Sequence, residues 1–257
     1  ILTTTNQIMN MNMEYTDLFK KPWHFDKFKE DKEGEYVKIV GRFIGDWDDE
    51  LTLARSDDDD IARHRMTRTY NTQGYGHAAN TPSDGHIKED AQNPLGNPNA
   101  IIFRPLYYSY DSDVYSKFPK IKKMTDFFEF NEDEKFTKQL NDQFPNDQLM
   151  WHIDNFPGNP EKDVVLGDTF NIQQEDKIRF LIMLEDHQPG QVIQFGNIVY
   201  TQWKAGTIYT WEWSTLPHIT WNGSWHSRMA LQLTGSGSRR TWDIAREGDK
   251  NKEYHIK

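Results

Sequence analysis

From residue 145 onward the apolar positions come in short runs broken by turn-forming residues, a rhythm that predicts strands rather than helices. The runs are Leu149–Asp154, Ile178–Leu184, Gln191–Phe195, Ile198–Trp203, Thr207–Trp213, His218–Trp221 and Ser227–Thr234. The turns between them fall at Pro157-Gly158, Pro189-Gly190, Gly196-Asn197, Ala205-Gly206 and Asn222-Gly223, each with a residue suited to tight or left-handed geometry. A set of strands this short and this numerous closes into two facing sheets. The pattern therefore predicts a mainly β fold with flanking helices around a jelly-roll core.

The first half of the chain is less regular. Between Tyr36 and Trp47 the positions Val37, Ile39, Val40, Phe43 and Ile44 suit a strand or a short helix equally. Ile101 to Tyr110 is an aromatic, β-rich run, whereas Phe127, Phe128, Phe136, Leu140 and Phe144 fit a helix ended by Pro145. Residues 55–100 are rich in Asp, Asn, Gly, Pro and His, and an insertion of this length is either a lid or substrate-facing segment or a plain surface loop. Its acidic run, Asp57 to Asp60, reads as a solvated loop. The resulting division is one domain in three parts. Residues 1–147 hold an N-terminal arm, the polar insertion and a supporting helix, 148–236 the catalytic core, and 237–257 a C-terminal tail.

Composition changes this picture at a few points. Hydrophobic residues make up only 36% of the chain and the mean hydropathy is -0.87, yet 9 Trp, 11 Tyr and 15 Phe supply enough apolar surface for a core. A net charge of -10 disfavours nucleic acid and anionic membranes as partners. With no cysteine, thiolate metal sites, iron–sulfur clusters, disulfides and cysteine nucleophiles are excluded, so any metal must take nitrogen and oxygen ligands. No apolar run is long enough to span a membrane as a helix, and the N-terminus lacks a signal-peptide layout, so a cytoplasmic setting is expected. The chain opens on Ile1 rather than Met, the mark of a missing start or an internal fragment.

The candidate chemistry lies in the strand-rich half. His152 and Asp154, two apart in Trp151-His152-Ile153-Asp154, project to one face of a strand, as two cis metal ligands must. His218 lies 66 positions beyond His152, and two histidines with one carboxylate form a facial triad that leaves coordination positions open on Fe(II). His218 opens a segment that turns at Asn222-Gly223 and returns through Arg228, so a hairpin brings Arg228 near any metal on His218. A guanidinium there can grip the far carboxylate of a diacid chelating that metal.

Other residues are weaker candidates. Thr220 is a further co-substrate contact, and Arg179, Gln194 and Tyr200 are polar groups able to project inward. Arg104, Trp151 and His226 are candidate substrate contacts, and His226 is also a rival to His218 as distal ligand. Trp151, Trp211, Trp213 and Trp221 either wall a pocket or serve as ordinary core aromatics. His187 reads as a turn cap, and His64, His77 and His86 as exposed residues of the insertion.

Across residues 148–236 the sequence resembles the Fe(II)/2-oxoglutarate-dependent dioxygenases. Their pattern of H-x-D, a distal H and an R or K about ten positions on is matched by His152, Asp154, His218 and Arg228. The stretch Pro-His-x3-Asn-x-Ser-x3-Arg is similar to the phytanoyl, prolyl and aspartyl/asparaginyl hydroxylase-like branches. The resemblance implies a double-stranded β-helix, with Fe(II) on the two histidines and Asp154. It also implies 2-oxoglutarate chelating that metal while Arg228 holds its other carboxylate, and O2 as oxidant. Halogenating relatives carry a small residue in place of the aspartate, so Asp154 favours hydroxylation. The substrate expected is a small amino acid or a peptide side chain. Two other readings stay open: a cupin-like metalloenzyme without 2-oxoglutarate, and a noncatalytic β-sandwich binding carbohydrate or serving as a structural virion domain.

Overall fold

The computed structural model describes residues 18–19, 23–24, 26, 28–56, 68–71, 100–103, 105–109, 117–131, 136–146, 148–153 and 177–256. Among these, thirteen strands run β1 (Val37–Ile44), β2 (Arg68–Asn71), β3 (Ala100–Phe103), β4 (Pro105–Ser109), β5 (Thr137–Gln143), β6 (Gln148–His152) and β7 (Lys177–Met183). They continue as β8 (Gln191–Phe195), β9 (Ile198–Tyr200), β10 (Thr207–Trp211), β11 (His218–Asn222), β12 (Arg228–Ser236) and β13 (Glu253–His255). Three helices accompany them: α1 (Asp48–Ser56), α2 (Pro119–Phe127) and α3 (Arg239–Glu247).

The strands form a large sheet in the order β13-β1-β10-β7-β12-β5-β4, a small sheet in the order β6-β11-β8-β9, and a separate β2-β3 pair. From β5 to β12 the chain crosses between the two main sheets at every step except the β8–β9 hairpin. That alternation, with β5-β12-β7-β10 on one side and β6-β11-β8-β9 on the other, is the double-stranded β-helix. The expected mainly β architecture with flanking helices is therefore observed.

Side-chain alternation along each strand sorts the core into two layers. On β7, Ile178, Phe180 and Ile182 face outward, where Phe43, Ile121, Met124, Phe128 and Trp242 cover them. Leu181 and Met183 face inward, toward Ile193, Phe195, Tyr209, Trp211, Trp213 and Ala230 in the space between the sheets. The helices cap the outer layer with specific contacts. The buried Glu50 carboxylate of α1 accepts from the Lys120 and Ile121 amides at 2.7 and 2.9 Å, satisfying two donors of the α2 N-terminus. Arg55, at the other end of α1, donates to Asp142 of β5 and to Glu185, with closest contacts of 3.1 and 2.7 Å. Burial alone would lower the Arg55 guanidinium, but hydrogen bonds to those two carboxylates more than offset it and hold its pKa above the ordinary value.

Two sequence expectations need correction. Residues 127–144 do not form one helix. The helix is α2, which ends at Phe127, and Thr137–Gln143 is the strand β5. Leu140 with its i±4 neighbours Phe136 and Phe144 mimics a helical stripe. However, β5 is buried on both faces and carries Gln139, Asn141 and Gln143 inward, so no apolar alternation marks it as a strand. The segment read as a C-terminal tail is structured. Ser238 and Thr241 close a capping box on α3, and β13 pairs parallel with β1 at the edge of the large sheet. The ambiguous run at Tyr36–Trp47 is the strand β1. The insertion at 55–100 and the Pro157-Gly158 turn lie almost wholly outside the described residues.

Candidate functional site

The small sheet positions the two candidate histidines. β11 pairs antiparallel with β6 and with β8, and His218 stands in register with His152 on one side and with Phe195 on the other. The backbone register therefore sets the two histidine positions directly opposite each other in the small sheet. The His152 side chain and Asp154 lie outside the described residues.

The His218 imidazole is buried, packed against Phe195 with ring centroids 5.7 Å apart and edge-on to Trp211 at 5.3 Å. Its Nδ1 sits 3.3 Å from the Leu216 carbonyl oxygen, which can only accept, so Nδ1 is the donor in this contact. A metal-binding histidine is held in just this way, its second nitrogen donating to a carbonyl. This fits the donor chemistry expected of a non-thiolate iron site. Among the described residues, no group of three His, Asp or Glu side chains comes together around a metal.

The expected hairpin is not formed: β11 and β12 do not pair but lie in the two facing sheets, so Arg228 enters the same interior from the large sheet. Alternation on β12 sends Met229, Leu231 and Leu233 to the helix side and Arg228 and Ala230 inward. Arg228 is 5% exposed. Its Nη2 donates to Gln143 Oε1, its Nη1 to the Val192 carbonyl at 3.3 Å, and the group lies 5.5 Å from the centroid of Trp203. No carboxylate pairs with it among the described residues. Burial pushes its pKa down to about 9, with Tyr209 opposing, which leaves it charged at neutral pH. A buried cation without a counter-ion is costly unless an anion arrives to meet it.

Residues that the sequence did not single out complete this pocket. Tyr209 on β10 is fully buried, and its hydroxyl has no hydrogen-bond partner among the described residues. Burial and Glu33 raise its pKa while Arg228 works in the other direction, so it remains a neutral donor beside the guanidinium. Gln143 links Arg228 to Thr220, whose Oγ1 accepts from Gln143 Nε2 at 3.1 Å. Gln143 lay hidden in the misassigned helix. Tyr209 had no signal beyond alternation on its strand.

The remaining candidates separate by face. Trp211 and Trp213 are interior, whereas Trp151 and Trp221 are 40% and 46% exposed on the outer side of the small sheet and do not wall the space between the sheets. His226 is exposed in the turn before β12, where its carbonyl accepts from Asn222 Nδ2 at 2.8 Å. His187 binds the Gln191 carbonyl at 3.0 Å across the 186–191 turn, the role expected of it. Gln194 binds the Gly196 carbonyl, and Tyr200 donates to Glu33 at 3.2 Å. Arg104 lies outside the described residues, as do His64, His77 and His86.

No family model matches this chain, and no curated protein matches it. Among solved structures it is similar to a viral collagen prolyl hydroxylase of Paramecium Bursaria Chlorella virus-1 solved with 2OG. The identity is 13% and the TM-score 0.37, over 80% of this chain and 98% of that one. It is similar to a prolyl-4-hydroxylase of Pseudomonas putida at 14% identity and a TM-score of 0.33, over 72% and 99% of the two chains. An oxidoreductase of the 2OG-Fe(II) oxygenase family from Burkholderia pseudomallei matches at 12% identity and a TM-score of 0.29, over 78% and 98%. Likenesses this faint leave the functional argument to the site itself. No helix among the described residues is long and apolar enough to cross a membrane.

Proposed function

We propose that this protein is an Fe(II)- and 2-oxoglutarate-dependent oxygenase that hydroxylates a small amino acid or a peptide side chain. The observation that carries the reading is Arg228. It is a buried guanidinium with no carboxylate partner among the described residues, ten positions after a buried histidine whose strand neighbour is His152. His152, Asp154 and His218 would hold the metal, and Fe(II) with 2-oxoglutarate supplies the oxidising power. One atom of O2 goes to the substrate carbon as hydroxyl and the other to succinate, with release of CO2.

The chain's own part is binding and orientation. Arg228 takes the distal carboxylate of the diacid in a charge-assisted pair, and the Tyr209 hydroxyl is a second donor to it. Gln143 and Thr220 hold the guanidinium in place from below. Phe195, Trp203 and Trp211 wall the site and keep water out, which strengthens each charged contact.

Calorimetry on the metal-loaded chain tests this. His218→Ala is expected to lose metal uptake. Arg228→Gln is expected to keep the metal and to bind 2-oxoglutarate at least about 30-fold more weakly, the usual loss when one partner of a buried charge pair is removed. Unchanged 2-oxoglutarate affinity in Arg228→Gln would sink the assignment and leave a cupin-like metalloprotein in its place.

A further inference from the structure

The Arg228–Gln143 pair is held from the opposite side of the large sheet. Arg228 of β12 and Gln143 of β5 stand in register, and the next pair along the two strands is Met229 and Asp142. Alternation turns that pair to the helix side, where Asp142 is buried. Arg55 of α1 lies across it. Its Nε and Nη2 donate to the two Asp142 oxygens at 3.2 and 3.1 Å, and its Nη1 and Nη2 to the two Glu185 oxygens at 2.9 and 2.7 Å. Glu185 Oε2 in turn accepts from the Met229 amide at 2.7 Å. One guanidinium therefore ties the side chain next to Gln143 to the backbone next to Arg228.

The edge of β7 makes this tie matter. β7 ends at Met183, in register with Ala230, and just beyond it the Leu184 amide donates to the Met229 carbonyl at 3.0 Å. In the opposite direction side chains take over. The Met229 amide goes to Glu185, and the Leu184 carbonyl accepts from Trp47 Nε1 at 2.8 Å. Trp47 immediately precedes α1 and Arg55 lies in its last turn, so the β7 side of this rung is completed through residues at the two ends of that helix. A guanidinium fork on two carboxylates fixes distance and angle together. Such precision has consequences at a binding site, where a misplacement of roughly 1 Å can cost on the order of 100-fold.

We propose that Arg55 is a positioning residue for the co-substrate: by clamping Asp142 and Glu185 on the outer side of the large sheet, it sets the placement of Gln143 and Arg228 on the inner side. This rests on the oxygenase reading for the identity of the ligand and extends that site to a residue that touches no ligand.

The test combines calorimetry with 2-oxoglutarate on the metal-loaded full chain and NMR of arginine Nε–H resonances in the ligand-free protein. The Arg228 signal is assigned by its loss in Arg228→Gln. Arg55→Met is expected to weaken 2-oxoglutarate about tenfold, to keep metal uptake and to move the Arg228 signal. Arg55→Lys, which keeps the charge but not the fork, is expected to fall in between. Glu50→Gln weakens the contact of the same helix with the α2 N-terminus. It is expected to lower the thermal midpoint while leaving both the affinity and the Arg228 signal as in wild type, which separates positioning from stability. Unchanged 2-oxoglutarate affinity in Arg55→Met, a parallel loss of metal uptake, or an equal loss of affinity in Glu50→Gln overturns the proposal. Should Arg55→Met fail to fold, Arg55→Lys decides, a severalfold loss supporting the clamp and no loss overturning it. If the wild type itself binds no 2-oxoglutarate, the oxygenase reading falls and the NMR signal alone decides: an Arg228 resonance moved by Arg55→Lys supports the clamp, and an unmoved one overturns it.

Discussion

Arg228 illustrates how a single buried side chain can oppose stability. Removing a guanidinium from water costs several kcal/mol when no counter-ion meets it, and neither Gln143 nor the Val192 carbonyl carries the balancing charge. Replacing it with an apolar residue of similar length removes that cost. Arg228→Met is therefore expected to make the ligand-free protein more stable by about 1–3 kcal/mol in urea unfolding, while abolishing stabilisation by 2-oxoglutarate. A destabilised Arg228→Met would mean that the guanidinium is already neutralised in the ligand-free protein. The candidacy of this residue was legible from its ten-residue offset after His218. Its partners Tyr209 and Gln143 were not, because they reach it from other strands.

At the scale of elements, the turn between β11 and β12 carries the chain from the small sheet to the large one and so to Arg228, and Asn222 sets its path. The Asn222 amide donates to the carbonyls of Gln143 and His226, both at 2.8 Å, and its oxygen accepts from the Ser224 amide and hydroxyl. Asn222→Ala strands several of these groups in a buried turn. A loss of about 2–3 kcal/mol in unfolding free energy is expected, together with weaker 2-oxoglutarate binding as Arg228 loses its register. Stability equal to wild type would show the turn to be held by other means.

Gly206 plays a comparable part in the large sheet. Its φ is +87°, its amide donates to the Met183 carbonyl at 2.6 Å, and its carbonyl accepts from the Phe43 amide at 2.9 Å. A Cβ there would run into the Phe43 backbone, so Gly206→Ala should cost more than about 1 kcal/mol, read as a lowered thermal midpoint. This turn was legible, since Ala205-Gly206 interrupts two alternating runs. β5 was not, because a strand buried on both faces, with amides pointing inward, has no periodicity to display.

Across the whole molecule, ligand and fold are linked through the space between the sheets. An anion that binds only the folded chain adds stability by mass action, about 2.7 kcal/mol at a hundredfold excess over its Kd. With metal present, saturating 2-oxoglutarate is expected to raise the thermal midpoint of the wild type and to leave Arg228→Gln unmoved. A wild-type midpoint that ignores 2-oxoglutarate would mean that Arg228 is balanced from within.

The sequence by itself determined the strand-and-turn rhythm after Pro145, the exclusion of thiolate chemistry, and the His152, His218 and Arg228 candidates. Each of these depends on local spacing, and spacing survives in one dimension. Only the tertiary structure decided which strands lie side by side. That pairing sets His218 opposite His152 and brings Tyr209 and Gln143 to Arg228. Sheet order depends on hydrogen bonds between segments far apart in the chain, and no local pattern encodes that order. The same holds for the exposure of Trp151 and Trp221 against the burial of Trp211 and Trp213, since an aromatic on a strand has two faces to choose from and the partner sheet covers only one.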